Sequence, residues 1–227
     1  MNTHVIKTSL IKAYYKLAFH LARPALYTRQ PFVIYPYLFS PRQLQELASQ
    51  LLDAKCEGSV VEVGCSQGWT TCFLNEAMRE ARVERPYICI DTFRGFLKED
   101  IHFENEKRGK KESYEADFTL NDKKWFDTSM QRAGYKNVRS YQADAATFDY
   151  ASLGPIAFCL LDLDLYRPMK RSLSSIYSCL SSGGTIVVDD CKDDYKWDGA
   201  FQAYSEFCQE RGKERDVVFG KLGIIKK

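Results

Sequence analysis

The chain has 227 residues, 45% of them hydrophobic and 14% aromatic, enough to bury one substantial core without disulfides or structural metals. Its 32 Lys and Arg stand against 30 Asp and Glu, and a formal charge of +2 excludes a strong global field that would recruit nucleic acid. Eight cysteines, at 56, 65, 72, 89, 159, 179, 191 and 208, form no CxxC pair, which argues against a zinc site and for a reducing, cytoplasmic setting.

Residues 1–45 contain Lys7, Lys12, Lys16, Arg23, Arg29 and Arg42 and no acidic residue. Ile6, Leu10, Tyr14, Leu17 and Leu21 recur at helical spacing, so this basic arm reads as an amphipathic helix ending before Pro24. It packs on the domain or on a sister subunit of a homo-oligomer, or makes peripheral contact with a membrane. No run of about 18 uncharged apolar residues crosses a bilayer, and the N-terminus has no signal-peptide core. Residues 32–39 read as an extended connector, after which Ser40 as N-cap and Pro41 as first residue open a helix to residue 54.

Residues 46–227 form the second unit. Short apolar runs alternate with amphipathic stretches there, the pattern of parallel βαβ units. Strands are expected at 60–63, 87–90, 138–141, 156–161 and 185–188, and helices at 69–81, 123–133, 168–180 and 199–210. Residues 217–219 and 222–225, split by Gly220, read as a terminal antiparallel hairpin. The fold class is therefore α/β, a doubly wound, mostly parallel Rossmann-like sheet with a C-terminal hairpin and an N-terminal helical arm. Residues 97–117 are rich in Lys and Glu with few apolar anchors, and read as a mobile loop, either a solvated insertion or an active-site lid.

The first strand runs into VVEVGCSQGWTT, which places Glu62, Gly64, Ser66, Gly68 and Thr70 at a strand-to-helix turn. Glycines let backbone approach a ligand, and a helix N-terminus offers N–H groups and a positive dipole end to an anion. Dinucleotide enzymes use G-x-G-x-x-G for a pyrophosphate, whereas this loop reads E-x-G-x-x-x-G with Ser66 in place of a second glycine. S-adenosylmethionine suits it better, its carboxylate meeting backbone N–H groups while Glu62 faces its ammonium or orders the loop. Asp91 ends the second strand, where an acid can accept from both ribose hydroxyls, and Asp144 follows the third, within reach of an adenine amino group.

The fourth and fifth strands deliver LLDLDLYRP and TIVVDDC, so Asp162, Asp164, Asp189 and Asp190 converge beside the first strand. Carboxylates cannot share a small site uncompensated: some are protonated or splayed into water, or a cation neutralises them. Oxygen-only ligands favour Mg2+, then Ca2+ or Mn2+. His4, His20 and His102 all precede the cluster, which disfavours a facial-triad iron site and leaves no obvious histidine base.

The ordered set VVEVGCSQG, IDTFRGF, LLDLDLYRP, GGTIVVDDC and WDGAFQAYSEF resembles the macrocin O-methyltransferase (TylF-like) family of class I methyltransferases, from about Leu51 to the C-terminus. The resemblance implies that Asp162, Asp189 and Asp190 hold a magnesium ion and that Glu62, Gly64, Asp91 and Asp144 occupy cofactor-binding positions. It also implies methylation of a small-molecule hydroxyl, mainly on sugars of natural products. Two features depart from the family: Cys191 stands where tyrosine is frequent, and the basic arm has no counterpart. The expected mechanism is in-line methyl transfer to oxygen, with Asp162, or else Asp164, taking the proton. Two rivals are an NAD-type oxidoreductase on a similar sheet and a non-catalytic scaffold with a vestigial pocket.

Overall fold

A computed structural model describes residues 39–227 except 112, 113, 115–117, 120, 194 and 195. The helix and connector expected within residues 1–38 lie outside the described residues.

Helix α1 (Pro41–Asp53) begins with a capping box: Ser40 Oγ accepts from the Gln43 N–H, and Gln43 Oε1 accepts from the Ser40 N–H at 2.7 Å. Although α1 starts inside the span read as arm, its Leu44, Leu47 and Leu51 are buried in the core. The chain then alternates β1 (Ser59–Val63), α2 (Trp69–Glu80), β2 (Tyr87–Asp91), α3 (Lys98–Arg108), α4 (Lys123–Ala133), β3 (Val138–Gln142), β4 (Ile156–Leu161), α5 (Tyr166–Cys179), β5 (Leu180–Val188), α6 (Asp198–Glu210), β6 (Asp216–Val218) and β7 (Leu222–Lys226). Among the described residues the strands form one sheet in the order β3-β2-β1-β4-β5-β7-β6. The first five are parallel, β7 runs antiparallel to β5, and β6 closes the hairpin. This is the doubly wound sheet that the alternating runs predict. No helix among the described residues is long and apolar enough to cross a membrane.

The period-2 geometry of the strands divides the core. Val61, Val63, Cys159 and Leu161 pack with α5 and α6 on one face. Val60, Phe158, Leu160 and Val187 pack with α1, α2 and α4 on the other. Strand order reverses between β1 and β4, so the loops that leave the carboxyl ends of these two strands run to helices on opposite faces of the sheet, α2 and α5, and a crevice opens between them.

Residues 98–108, read from the sequence as loop, form a helix instead. Its mean character is polar, and the face it buries carries Asp100 and Glu104 beside a single apolar residue, Ile101. Charge pairing replaces apolar burial: Arg167 Nε donates to Asp100 Oδ1 at 2.8 Å, Arg108 pairs with Glu104, and Asp198 accepts from Arg108 at 2.9 Å and from Lys110 at 2.5 Å. Glu104 Oε1 also accepts from the Tyr166 N–H at 2.8 Å, capping the first turn of α5.

Candidate active site

The crevice at the strand-order reversal is a cleft of about 390 Å³. The loop between β1 and α2 forms one wall, contributing Gly64, Ser66 and Thr70. Gly64 adopts φ +89°, and a Cβ there would lie 1.8 Å from the Asp162 carbonyl oxygen, so only glycine lets β1 leave the sheet so close to β4. Gly68 is the N-cap of α2, whose positive end faces the cleft through Thr70. Glu62 lies behind this wall. It is 1% exposed and accepts from Thr71 Oγ1 at 2.6 Å and from the Tyr87 hydroxyl at 2.7 Å. These two bonds tie β1 to α2 and to β2. Burial pushes its carboxyl up to about 7, against the opposing pull of those two donors.

Asp91 and Asp144 line the same side. Asp91 Oδ2 accepts from the Ser66 N–H at 2.8 Å, and Oδ1 accepts from the Phe93 N–H at 2.6 Å and Asn121 Nδ2 at 3.2 Å. Burial nonetheless raises its pKa from the ordinary aspartate value. Ser66 adopts φ +45°, which aims its N–H at Asp91 and ties the loop to β2. Asp144 caps its own turn, accepting from the Ala146 N–H at 2.9 Å and from Thr147 Oγ1 at 3.2 Å. Asn121, which the sequence does not single out, lines the cleft and steers Asp91, while its Oδ1 is buried without a hydrogen-bond partner among the described residues.

The opposite side is acidic. Asp162 and Asp164 line the cleft, and Asp189 and Asp190 stand just behind them, 3% and 5% exposed. Asp164 and Asp190 adopt φ +58° and +55°, the left-handed region that costs a non-glycine residue about 1 kcal/mol or more and that asparagine and aspartate tolerate best. The start of α6 braces this turn: Gly199 packs where a Cβ would meet Tyr166 N at 2.4 Å and Asp164 O at 2.9 Å, and the Ala200 N–H donates to Asp164 O at 3.2 Å. The WDGAF motif is thus placed on the turn that carries the carboxylates.

Asp162, Asp164 and Asp190 each bring a carboxylate oxygen to within 4.8 Å of the others. The resemblance implies Asp162, Asp189 and Asp190, two of which are in this group. Asp189 Oδ2 instead accepts from Lys221 Nζ at 2.8 Å, with Asp190 Oδ1 at 3.5 Å from the same nitrogen. Burial raises Asp162, Asp164 and Asp189, and the neighbouring carboxylates raise them further. Lys221 opposes this at Asp162 and Asp189. Three close carboxylates, and a buried Asp189 Oδ1 with no hydrogen-bond partner among the described residues, fit a hard divalent cation. Lys221 sits in the turn of the terminal hairpin, and nothing local in the sequence marks it as part of this site. The mouth of the cleft is aromatic: Phe96 and Phe118 line it with ring centroids 5.3 Å apart, and Trp197 lies 5.7 Å from Phe96.

Among solved structures, the chain is similar to the O-methyltransferase NovP, with a TM-score of 0.65 and 17% identity over 82% of this chain and 79% of that one. The calicheamicin methyltransferase CalS11 superposes with a TM-score of 0.62 and 18% identity over 100% of this chain and 93% of that one. Cofactor-bound Rv0187 from MTB follows with 0.53 and 16% over 85% and 82%. At these identities the likeness is one of fold. No curated protein matches the chain. The model of the macrocin-O-methyltransferase (TylF) family matches residues 40–219, which take in the loop, the acidic cluster and the α6 motif, and the chain is a methyltransferase belonging to that family.

Proposed function

We propose that the protein is an S-adenosylmethionine-dependent, Mg2+-assisted O-methyltransferase acting on a hydroxyl of a sugar or glycosylated natural product. The observation that carries this reading is one cleft lined by the Gly64-to-Thr70 loop and Asp91 and by Asp162 and Asp164, whose carboxylate oxygens gather with one from Asp190.

S-adenosylmethionine, when bound, supplies an electrophilic methyl group on a sulfonium. The β1–α2 loop and the N-terminus of α2 would hold its carboxylate, Asp91 its ribose and Asp144 its adenine edge. The carboxylate cluster would hold Mg2+, which when bound supplies Lewis acidity that lowers the pKa of a hydroxyl oxygen. Asp162 takes the hydroxyl proton: it faces the cleft, and its backbone lies against Gly64 at the start of the cofactor loop. The aromatic mouth excludes water and offers apolar faces to the C–H surface of a sugar. The fold neighbours support this acceptor class, since CalS11 is described as a TDP-rhamnose 3'-O-methyltransferase.

Calorimetric titration of S-adenosylmethionine and its demethylated product, with Mg2+ and with chelator, followed by methyl transfer to a panel of nucleotide sugars, glycosides and catechols, tests the reading. Binding of both nucleosides with chelator-sensitive transfer to a glycosyl hydroxyl supports it. Failure to bind either nucleoside overturns it.

A further inference from the structure

We propose that Phe118 is a specificity-determining residue, whose exposed ring takes a flat apolar ring face of the methyl acceptor and so selects acceptors that present one beside the reacting hydroxyl. This inference rests on the reading of the cleft as a hydroxyl-methylating site and assigns the choice of acceptor within it to one side chain.

The starting point is a small apolar cluster separate from the two that sandwich the sheet. Ile101, Tyr114 and Leu165 are its buried members, with Phe96 and Trp197 packed against them. These residues follow β2, β4 and β5, so the cluster ties together loops and a helix that leave the carboxyl ends of three strands. Tyr114 is fully buried, its ring centroid 6.2 Å from Phe96 and 5.5 Å from Trp197, and its hydroxyl donates to the Lys196 carbonyl oxygen at 3.3 Å. The Lys196 ammonium lies 4.2 Å from the Trp197 ring centroid, which holds the indole from another side.

Phe118 rests on this cluster without being buried by it. Its ring meets Phe96 edge-on at 5.3 Å and 81° and lies 6.0 Å from Trp197, yet the residue is 38% exposed and lines the same cleft as Asp162. Its backbone stands at φ +55°, a left-handed conformation that a bulky side chain adopts only against steric resistance. Full burial of the ring would offset that cost, and here burial is incomplete. The arrangement serves stability poorly and serves binding well: neighbours fix the ring while part of it stays open to the cleft. An aromatic face recognises another flat apolar face, which either the C–H side of a sugar or an aromatic aglycone supplies. Such a contact orients the acceptor and moves no proton, so its loss should appear in acceptor affinity.

Substitutions that separate strain from stacking test this assignment. Phe118→Gly removes the ring and relieves the left-handed backbone, Phe118→Ala removes the ring alone, and Phe118→Tyr and Phe118→Trp keep an aromatic face. Binding of methyl and phenyl glycosides of glucose, galactose, mannose, rhamnose and xylose is followed by saturation-transfer nuclear magnetic resonance on the full-length protein with S-adenosylhomocysteine and Mg2+. Melting temperature and calorimetric affinity for S-adenosylhomocysteine serve as controls. Wild type is expected to transfer saturation to ring protons of at least one glycoside. The Gly and Ala variants should bind it about fivefold or more weakly, and the Tyr and Trp variants within about twofold of wild type. The Gly variant should melt no lower than wild type, with nucleoside affinity unchanged. An equal response from methyl and phenyl glycosides places the sugar on Phe118, and a response confined to phenyl glycosides places the aglycone there. A Gly variant that melts lower and binds glycosides as wild type does makes the ring structural and overturns the inference. Wild-type protein that binds S-adenosylhomocysteine but none of the glycosides also overturns it, whereas failure to bind S-adenosylhomocysteine overturns the methyltransferase reading itself.

Discussion

Two sets of carboxylates face each other across the cleft, and they differ in what satisfies them. Asp91 and Asp144 accept hydrogen bonds from backbone N–H groups of their own turns and from neighbouring side chains, so each is held in place before any ligand arrives. Among the described residues, Asp162, Asp164, Asp189 and Asp190 have each other and one lysine. The first set is prepared to accept hydrogen bonds from a ligand without changing its own charge. The second is held in a state that only an added cation or added protons relieve, which is where chemistry that moves a proton belongs. Each prediction below breaks or sharpens that contrast.

The largest effect is expected on the strained side. Asp162→Asn removes the proposed proton acceptor while keeping the side-chain volume, so methyl transfer should fall by about a thousandfold or more, with S-adenosylmethionine affinity within a few fold by calorimetry. Full activity in this variant sinks the assignment. Gly64→Ala comes next, because its Cβ would lie 1.8 Å from Asp162 O at φ +89°. The two halves must then separate, and a loss of about 4 kcal/mol in denaturant unfolding is expected. A variant of native stability would show that β1 and β4 part more easily than this contact allows.

Helix α3 is a third case, in which each buried acid is matched by an arginine. Arg108→Ala leaves Glu104, 1% exposed, without its guanidinium, and should cost about 3 kcal/mol. Hydrogen exchange should show the loss concentrated in residues 98–108. This helix also shows where the sequence stops being readable. The strands could be read because β1 and β4 bury every residue they contain, and α1 because Ser40 and Pro41 mark its start. The same applies to Asp91, Asp144 and the acidic cluster, which strand-end placement locates. Helix α3 could not, because an apolar stripe is the signal of a packed helix and its buried face is charged, matched by Arg167 and Asp198 on elements 60 or more residues away in sequence. Lys221 was hidden for the same reason, its meaning lying in a hairpin that folds back across β5.

Glu62 sits between the halves and gives the contrast a pH signature. Its folded-state carboxyl is raised to about 7 from 4.5, so the folded protein binds more protons than the unfolded chain between those values. Stability therefore falls as pH rises through that window and levels off above it, by a total of about 3 kcal/mol. Glu62→Gln keeps an oxygen acceptor for Thr71 and Tyr87 and removes the titration. The difference in melting temperature between Glu62→Gln and wild type should widen from pH 5 to about pH 7 and then hold. A constant difference across that range would mean that Glu62 is ionised throughout.

The smallest effect is expected where a carboxylate is already satisfied. Asp144→Asn retains one oxygen acceptor, which can still take the Ala146 N–H, and gives up a charge that no cation contacts among the described residues. What it loses is one acceptor on the face proposed to meet an adenine amino group, a hydrogen bond worth about 1 kcal/mol. S-adenosylmethionine should bind about fivefold more weakly, with Mn2+ affinity unchanged because the acidic half is untouched. A fall in Mn2+ affinity in this variant would mean that the two halves share one electrostatic site, and the division between a prepared half and a strained half would then fail.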